Sequence, residues 1–121
     1  MSPKDRLLDL LLRLINRGSQ QQFNLLFHKY HEADIAEALE LLPTEKQTLF
    51  FNRLITNETV DVFEEMDTES QIEIITNFKI ENAAELIEKM EKDDAVDLLE
   101  ALLDEDQLKA KSAGWEDAHE M

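Results

Sequence analysis

The chain has no cysteine, which excludes a disulfide scaffold and a thiolate zinc site and fits a cytoplasmic protein. Two glycines and two prolines in 121 residues leave no room for a long flexible linker or a glycine-rich phosphate loop. No apolar run is long enough to cross a bilayer. The richest, Leu7 to Ile15, is short, is broken by Asp9 and Arg13, and lacks a small-residue cleavage site. It reads as a core helix, not as an anchor or a signal peptide. The G-x-S-x-G, H-E-x-x-H and EF-hand patterns are missing as well, and no carboxylate pair stands isolated among apolar residues. The sequence therefore speaks against an enzyme.

Positive charge is scarce, and only the N-terminal stretch holds a net excess of it. Residues 1–31 carry net +3, whereas residues 32–121 carry net −19. A surface so acidic repels phosphate backbones and anionic lipid and attracts cations, so nucleic acid and direct membrane insertion are disfavoured. Solubility alone also accounts for such charge, as a solvated face.

What the chain does have is a rhythm. Four apolar columns recur every twelve residues: Ala36, Thr48, Val60, Ile72, Ala84, Val96; then Ala38, Phe50, Val62, Ile74, Leu86, Leu98; then Leu39, Phe51, Phe63, Ile75, Ile87, Leu99; then Leu42, Leu54, Met66, Phe78, Met90, Leu102. Only Thr48 breaks the apolar rule. The offsets 0, 2, 3 and 6 form a stripe about 160° wide on a helix and are incompatible with a strand. One continuous helix fails too, because twelve residues leave a remainder of about 120° and the stripe would wander round the axis. The spacing predicts separate helices of about eight residues, with turns of about four. Helices this short persist only by stacking, so the fold class is all-α, a solenoid with a 12-residue repeat and a helical cap at its N-terminus.

Turn chemistry supports the division. Thr44, Thr56, Thr68 and Asp104 share one column, and Gln47, Gln71 and Gln107 follow three residues after three of them, which predicts capping boxes. Asn82, Asp93 or Asp94 would cap the later units. Ser2-Pro3 with Asp5 opens a first helix that Gly18 closes, and Ser19 with Gln22 opens a second carrying Phe23, Leu26, Phe27 and Tyr30. Residues 1–110 form the helical domain. The 111–121 tail falls outside the repeat and is expected to fray, or to dock through Trp115.

Asp61, Asp93, Asp94 and Asp97 stand out as candidate metal ligands. Asp93 and Asp97 are neighbours on one helix face with Asp94 beside them, and Asp61 lies three repeats before Asp97. Mg²⁺ takes oxygen ligands, keeps several waters and is commonly held by one or two carboxylates. Asp93 and Asp94 also suit a first helical turn with no metal at all. His28 and His31 are spaced for a shared metal, but no third ligand is evident, and a terminal-turn place beside a helix C-terminus is the commoner explanation.

The run His31 to Glu45, H-E-A-D-I-A-E-A-L-E-L-L-P-T-E, resembles the opening of the cytoplasmic N domain of MgtE-type magnesium transporters and channels. Val62 to Asp67 and Lys92 to Leu99 are similar to later segments of that domain, and the resemblance covers roughly residues 20–110. It implies a right-handed superhelix of short helices that packs beside CBS domains in the cytoplasm. Acidic residues between the two bind Mg²⁺, so that high internal Mg²⁺ holds the pore closed. By motif, the metal-facing acids implied are Asp93 and Asp97, with Asp61 in the matching place of an earlier unit.

The expected function is thus regulatory: Mg²⁺ sensing and gating of a transporter through an acidic inter-domain face. The tail from Trp115 does not match the family's onward sequence, and no CBS segment or membrane helix is recognised. The chain is then an excised domain or a free-standing relative, binding Mg²⁺ weakly or only with its partner, with a homodimer left open. The alternative is a metal-independent interaction scaffold, because His31 to Leu39 also loosely resembles a motif of the flagellar motor-switch protein FliG.

Overall fold

The computed structural model describes residues 2–112, with the side chains of residues 2–104. Among them are eight helices and no strand: α1 Pro3–Arg17, α2 Gln20–Lys29, α3 Glu32–Glu40, α4 Thr44–Arg53, α5 Asn57–Glu64, α6 Thr68–Thr76, α7 Ile80–Lys89 and α8 Lys92–Ser112. The first two open as expected, since Ser2 and Ser19 each form a reciprocal capping box with Asp5 and Gln22. Between residues 32 and 89 each helix is 8 to 10 residues long. α8 is longer, at 21 residues. Asp104 and Gln107 do not open a new unit; with no glycine or proline from Lys92 to Ser112 and good helix formers at Ala101, Leu102 and Leu103, nothing stops the helix there. Residues 113–121, with Trp115, lie outside the described part.

The helices pack in two rows. α3 lies on α5 and α5 on α7; α4 lies on α6 and α6 on α8, while α1 packs against α3 and α4 at the basic end. The column Ala38, Phe50, Val62, Ile74, Leu86, Leu98 is the spine, each member no more than 2% exposed. Phe23, Phe50, Phe51 and Phe63 continue it crosswise, with successive ring centroids 5.1–5.4 Å apart. Such tilted and edge-to-face pairs contribute about 1 kcal/mol each beyond their burial, and they tie the cap to the repeats. At the corner between α1 and α2, the Gly18 N–H donates to the Leu14 carbonyl at 2.8 Å. Arg53 of α4 donates to the carbonyls of Ile15 and Asn16, satisfying the end of α1.

Two expectations are corrected. Ala84, Val96 and Leu99, assigned to the apolar columns, are exposed, because α7 and α8 have no described helix beyond them in their rows. The capping boxes at Thr44 and Thr68 do not form: Pro43 and Asp67 are the N-caps, and neither makes a side-chain cap bond. Gln47 and Gln71 turn inward instead and donate to the carbonyls of Leu42 and Phe63 at 2.9 and 2.7 Å. Only Thr56 of that column caps, in a reciprocal pair with Thr59. The amides left over are met from afar. Asp67 N–H donates to Glu40 Oε1 at 2.9 Å, and Glu91 N–H to Glu64 Oε2 at 3.1 Å.

Candidate functional site

Glu64 ends α5, and its carboxylate reaches the entrance of α8, where partial positive charge gathers on free amides. Asp94 lies in the first turn of α8 and Asp97 nearly one turn later. Together with Thr68 and Gln71 of α6, these three acids line a cavity of about 150 Å³; the buried Met66, Met90 and Leu98 complete its wall. All the charged groups are oxygen donors, as a hard cation prefers.

Within the cleft, the ionised state of Glu64 is disfavoured. Glu64 titrates above the ordinary glutamate range, first because of burial and then through its hydrogen bond to and repulsion from Asp94 and the charge of Glu91; the Glu91 amide opposes the shift. Glu40, the same device one α-helical pair earlier, is raised likewise by burial and by Asp67, against the Asp67 amide. A bound cation would relieve the repulsion between Glu64 and Asp94. As a metal site, however, the cleft is incomplete: among the described residues no group of three or more histidine, aspartate or glutamate side chains is arranged to hold a metal ion.

The candidate ligands do not all share this place. Asp94 and Asp97 face the cavity, whereas Asp93, about 100° round the helix from Asp94, is exposed and is not part of its lining. Asp61 lies on α5, in the other row from α8. It is also raised above the ordinary aspartate range, by burial first and then by Glu32, Glu58 and Glu65. Asp61 therefore belongs to a second acidic neighbourhood facing α3. The row alone does not decide this, since Glu64 stands on α5 too: Glu64, at the end of that helix, reaches the entrance of α8, whereas Asp61, three residues earlier, has Glu32, Glu58 and Glu65 for neighbours. Glu64 is the member that sequence reasoning missed. Its signal was the 24-residue spacing from Glu40, two repeats and therefore one row.

The histidines have structural places. His31 is the N-cap of α3, its Nδ1 accepting from the Ala33 amide at 3.2 Å, and His28 is exposed in the last turn of α2. Among the described residues no helix is long and apolar enough to cross a membrane.

These features define an all-α domain with an acidic, oxygen-lined cleft at the entrance of its last described helix. Residues 30–114 match the MgtE intracellular N domain, and the chain belongs to that family, one of transporter domains and not of enzymes. No curated protein and no solved structure matches the chain.

Proposed function

We propose that the chain is the Mg²⁺-sensing regulatory domain of a magnesium transporter, acting in the cytoplasm. Its stacked helices form a right-handed superhelix on a 12-residue repeat, which presents carboxylates toward a second cytoplasmic domain of CBS type. The observation that carries this reading is the convergence of Glu64, Asp94 and Asp97 on one cleft in a chain of this family. These acids supply part of the coordination, and the partner and water supply the rest. Mg²⁺ bound between two acidic faces screens their repulsion, so cation binding and domain closure favour each other by the same free energy. Asp93 and Asp61 flank the cleft's helix and its opposite row and extend the negative field toward the partner. In a free chain, binding is weak because half the ligands are missing.

Thermal melting tests the reading. Millimolar MgCl₂ should raise the melting temperature above that in NaCl of equal ionic strength, and Asp94→Asn with Asp97→Asn should abolish the difference. At tenfold the dissociation constant the linkage is worth about 1.4 kcal/mol. Identical curves in the two salts would contradict it. The lack of a three-residue metal cluster among the described residues favours a second reading, a metal-independent interaction scaffold, which predicts that outcome.

A further inference from the structure

The last described helix carries an apolar face that nothing described covers. Val96, Leu99 and Leu103 are 50%, 45% and 61% exposed, and at 100° per residue they fall within about 60° of one another. They adjoin the inner face of α8, where Leu98 is buried and Ala95 and Leu102 are half-buried against the core. The counterparts of Val96 and Leu99 on α5, which has a neighbour on each side, are enclosed: Val60 and Phe63 are 1% and 0% exposed, whereas Ala84 of α7, at the end of the other row, is exposed. The reason lies in the rows. α5 packs between α3 and α7, and α6 between α4 and α8, while α8 has α6 on one side only. Its bare face is the surface on which the next helix of the row would lie.

Charge decides what kind of helix fits there. Along one edge of the face, from about 40° to 100° round from Val96, run Glu100, Asp93, Asp104 and Asp97. A second copy of this chain would set those carboxylates against their own kind. The chain's own residues 113–121 carry Glu116, Asp117 and Glu120 and no lysine or arginine, so they are poorly matched too. We propose that the Val96–Leu99–Leu103 face is a docking site for an amphipathic helix of a partner protein. That helix is apolar on the side that meets α8 and lysine- or arginine-rich along the edge that meets the four acids. It takes the position of the next helix in the row, the helix-in-groove mode of recognition; of the four acids only Asp97 also lines the Mg²⁺ cleft, and neither Leu99 nor Leu103 does.

The test uses the full chain and a fluorescein-labelled synthetic helix with leucines on one face and lysines along its edge. Fluorescence anisotropy should show saturable binding, weakened at least about tenfold by Leu99→Ser with Leu103→Ser and by added salt. The same peptide with glutamates in place of the lysines should not bind. Circular dichroism confirms that the double variant is folded; Val96→Ser and Glu100→Lys, each at an exposed position, give the same weakening if it is not. Absent binding, or equal binding to wild type and variants, overturns the proposal. So does a wild-type dimer in sedimentation that the double variant abolishes, which makes a second copy the occupant. Binding that appears only after the chain is shortened to Ser112 overturns it as well, since the chain's own end is then the occupant.

Discussion

The Glu91 amide donates to the Glu64 carboxylate at 3.1 Å, and the Asp67 amide donates to Glu40 in the same way at 2.9 Å. In both cases a glutamate at the end of one helix serves the entrance of the helix three places on. The arrangement replaces a local cap: the Asp67 side chain makes no cap bond of its own. It also places a carboxylate where a helix N-terminus stabilises negative charge. Half-burial and the neighbouring acids Asp67 and Asp94 outweigh that benefit, and both glutamates titrate above the ordinary value of 4.5.

That shift fixes the sign of a pH effect. A carboxyl group with a raised folded-state pKa binds protons more tightly in the native chain than in the unfolded one. Its contribution is fully present below the ordinary value, 4.5 for Glu40 and Glu64 and 3.8 for Asp61. It is lost as pH rises through the raised folded values. Stability should therefore increase as the protein is acidified from neutral pH toward the carboxylate range. Melting temperature against pH checks this, and Glu64→Gln, which keeps an acceptor for the Glu91 amide, should flatten the rise.

Gln71 offers a second check. Its amide donates to the Phe63 carbonyl at 2.7 Å from a buried position beside the acidic cleft. Gln71→Ala loses one neutral hydrogen bond, about 1 kcal/mol, in urea denaturation. Gln71→Glu should cost more, because it removes the donor and adds a carboxylate next to Glu64, Asp94 and Asp97. The excess should shrink at low pH.

Gly18 is needed for its lack of a side chain and not for an unusual backbone angle, its φ being −64°. A Cβ there would stand 2.6 Å from the Leu14 carbonyl oxygen and 2.9 Å from both Leu14 Cα and Phe23 Cε2. Two of these atoms are backbone and cannot swing away. Gly18→Ala should destabilise by about 1–3 kcal/mol, more than the ~0.4–1 kcal/mol that restricting the unfolded chain returns. A higher denaturation midpoint for the alanine variant would contradict this.

The apolar rhythm made the helices legible because burial follows it so closely from Ala38 to Leu98. Two things escaped it. Ile35, Gln47, Thr59 and Gln71 form a further buried column, with half-buried Ala83 and Ala95 continuing it. Polarity hid it, since the glutamines are tolerated inside only by bonding to carbonyls that no pattern reveals. The alternation of rows escaped as well. It arises from packing: it puts Asp61 and Asp97 in different rows, and Glu64 meets Asp94 only because it stands at the end of α5, where its carboxylate crosses to the entrance of α8. The aspartates of the cleft were visible as a cluster at one helix start; the glutamate that completes it lies 30 residues before Asp94 in the chain.

A residue-resolved Mg²⁺ titration by NMR tests the central claim most directly. The account predicts saturable amide shifts centred on Glu64, Glu91, Asp94 and Asp97, larger than those from NaCl at equal ionic strength. Small shifts spread evenly over all the acidic residues, and matched by NaCl, would contradict it.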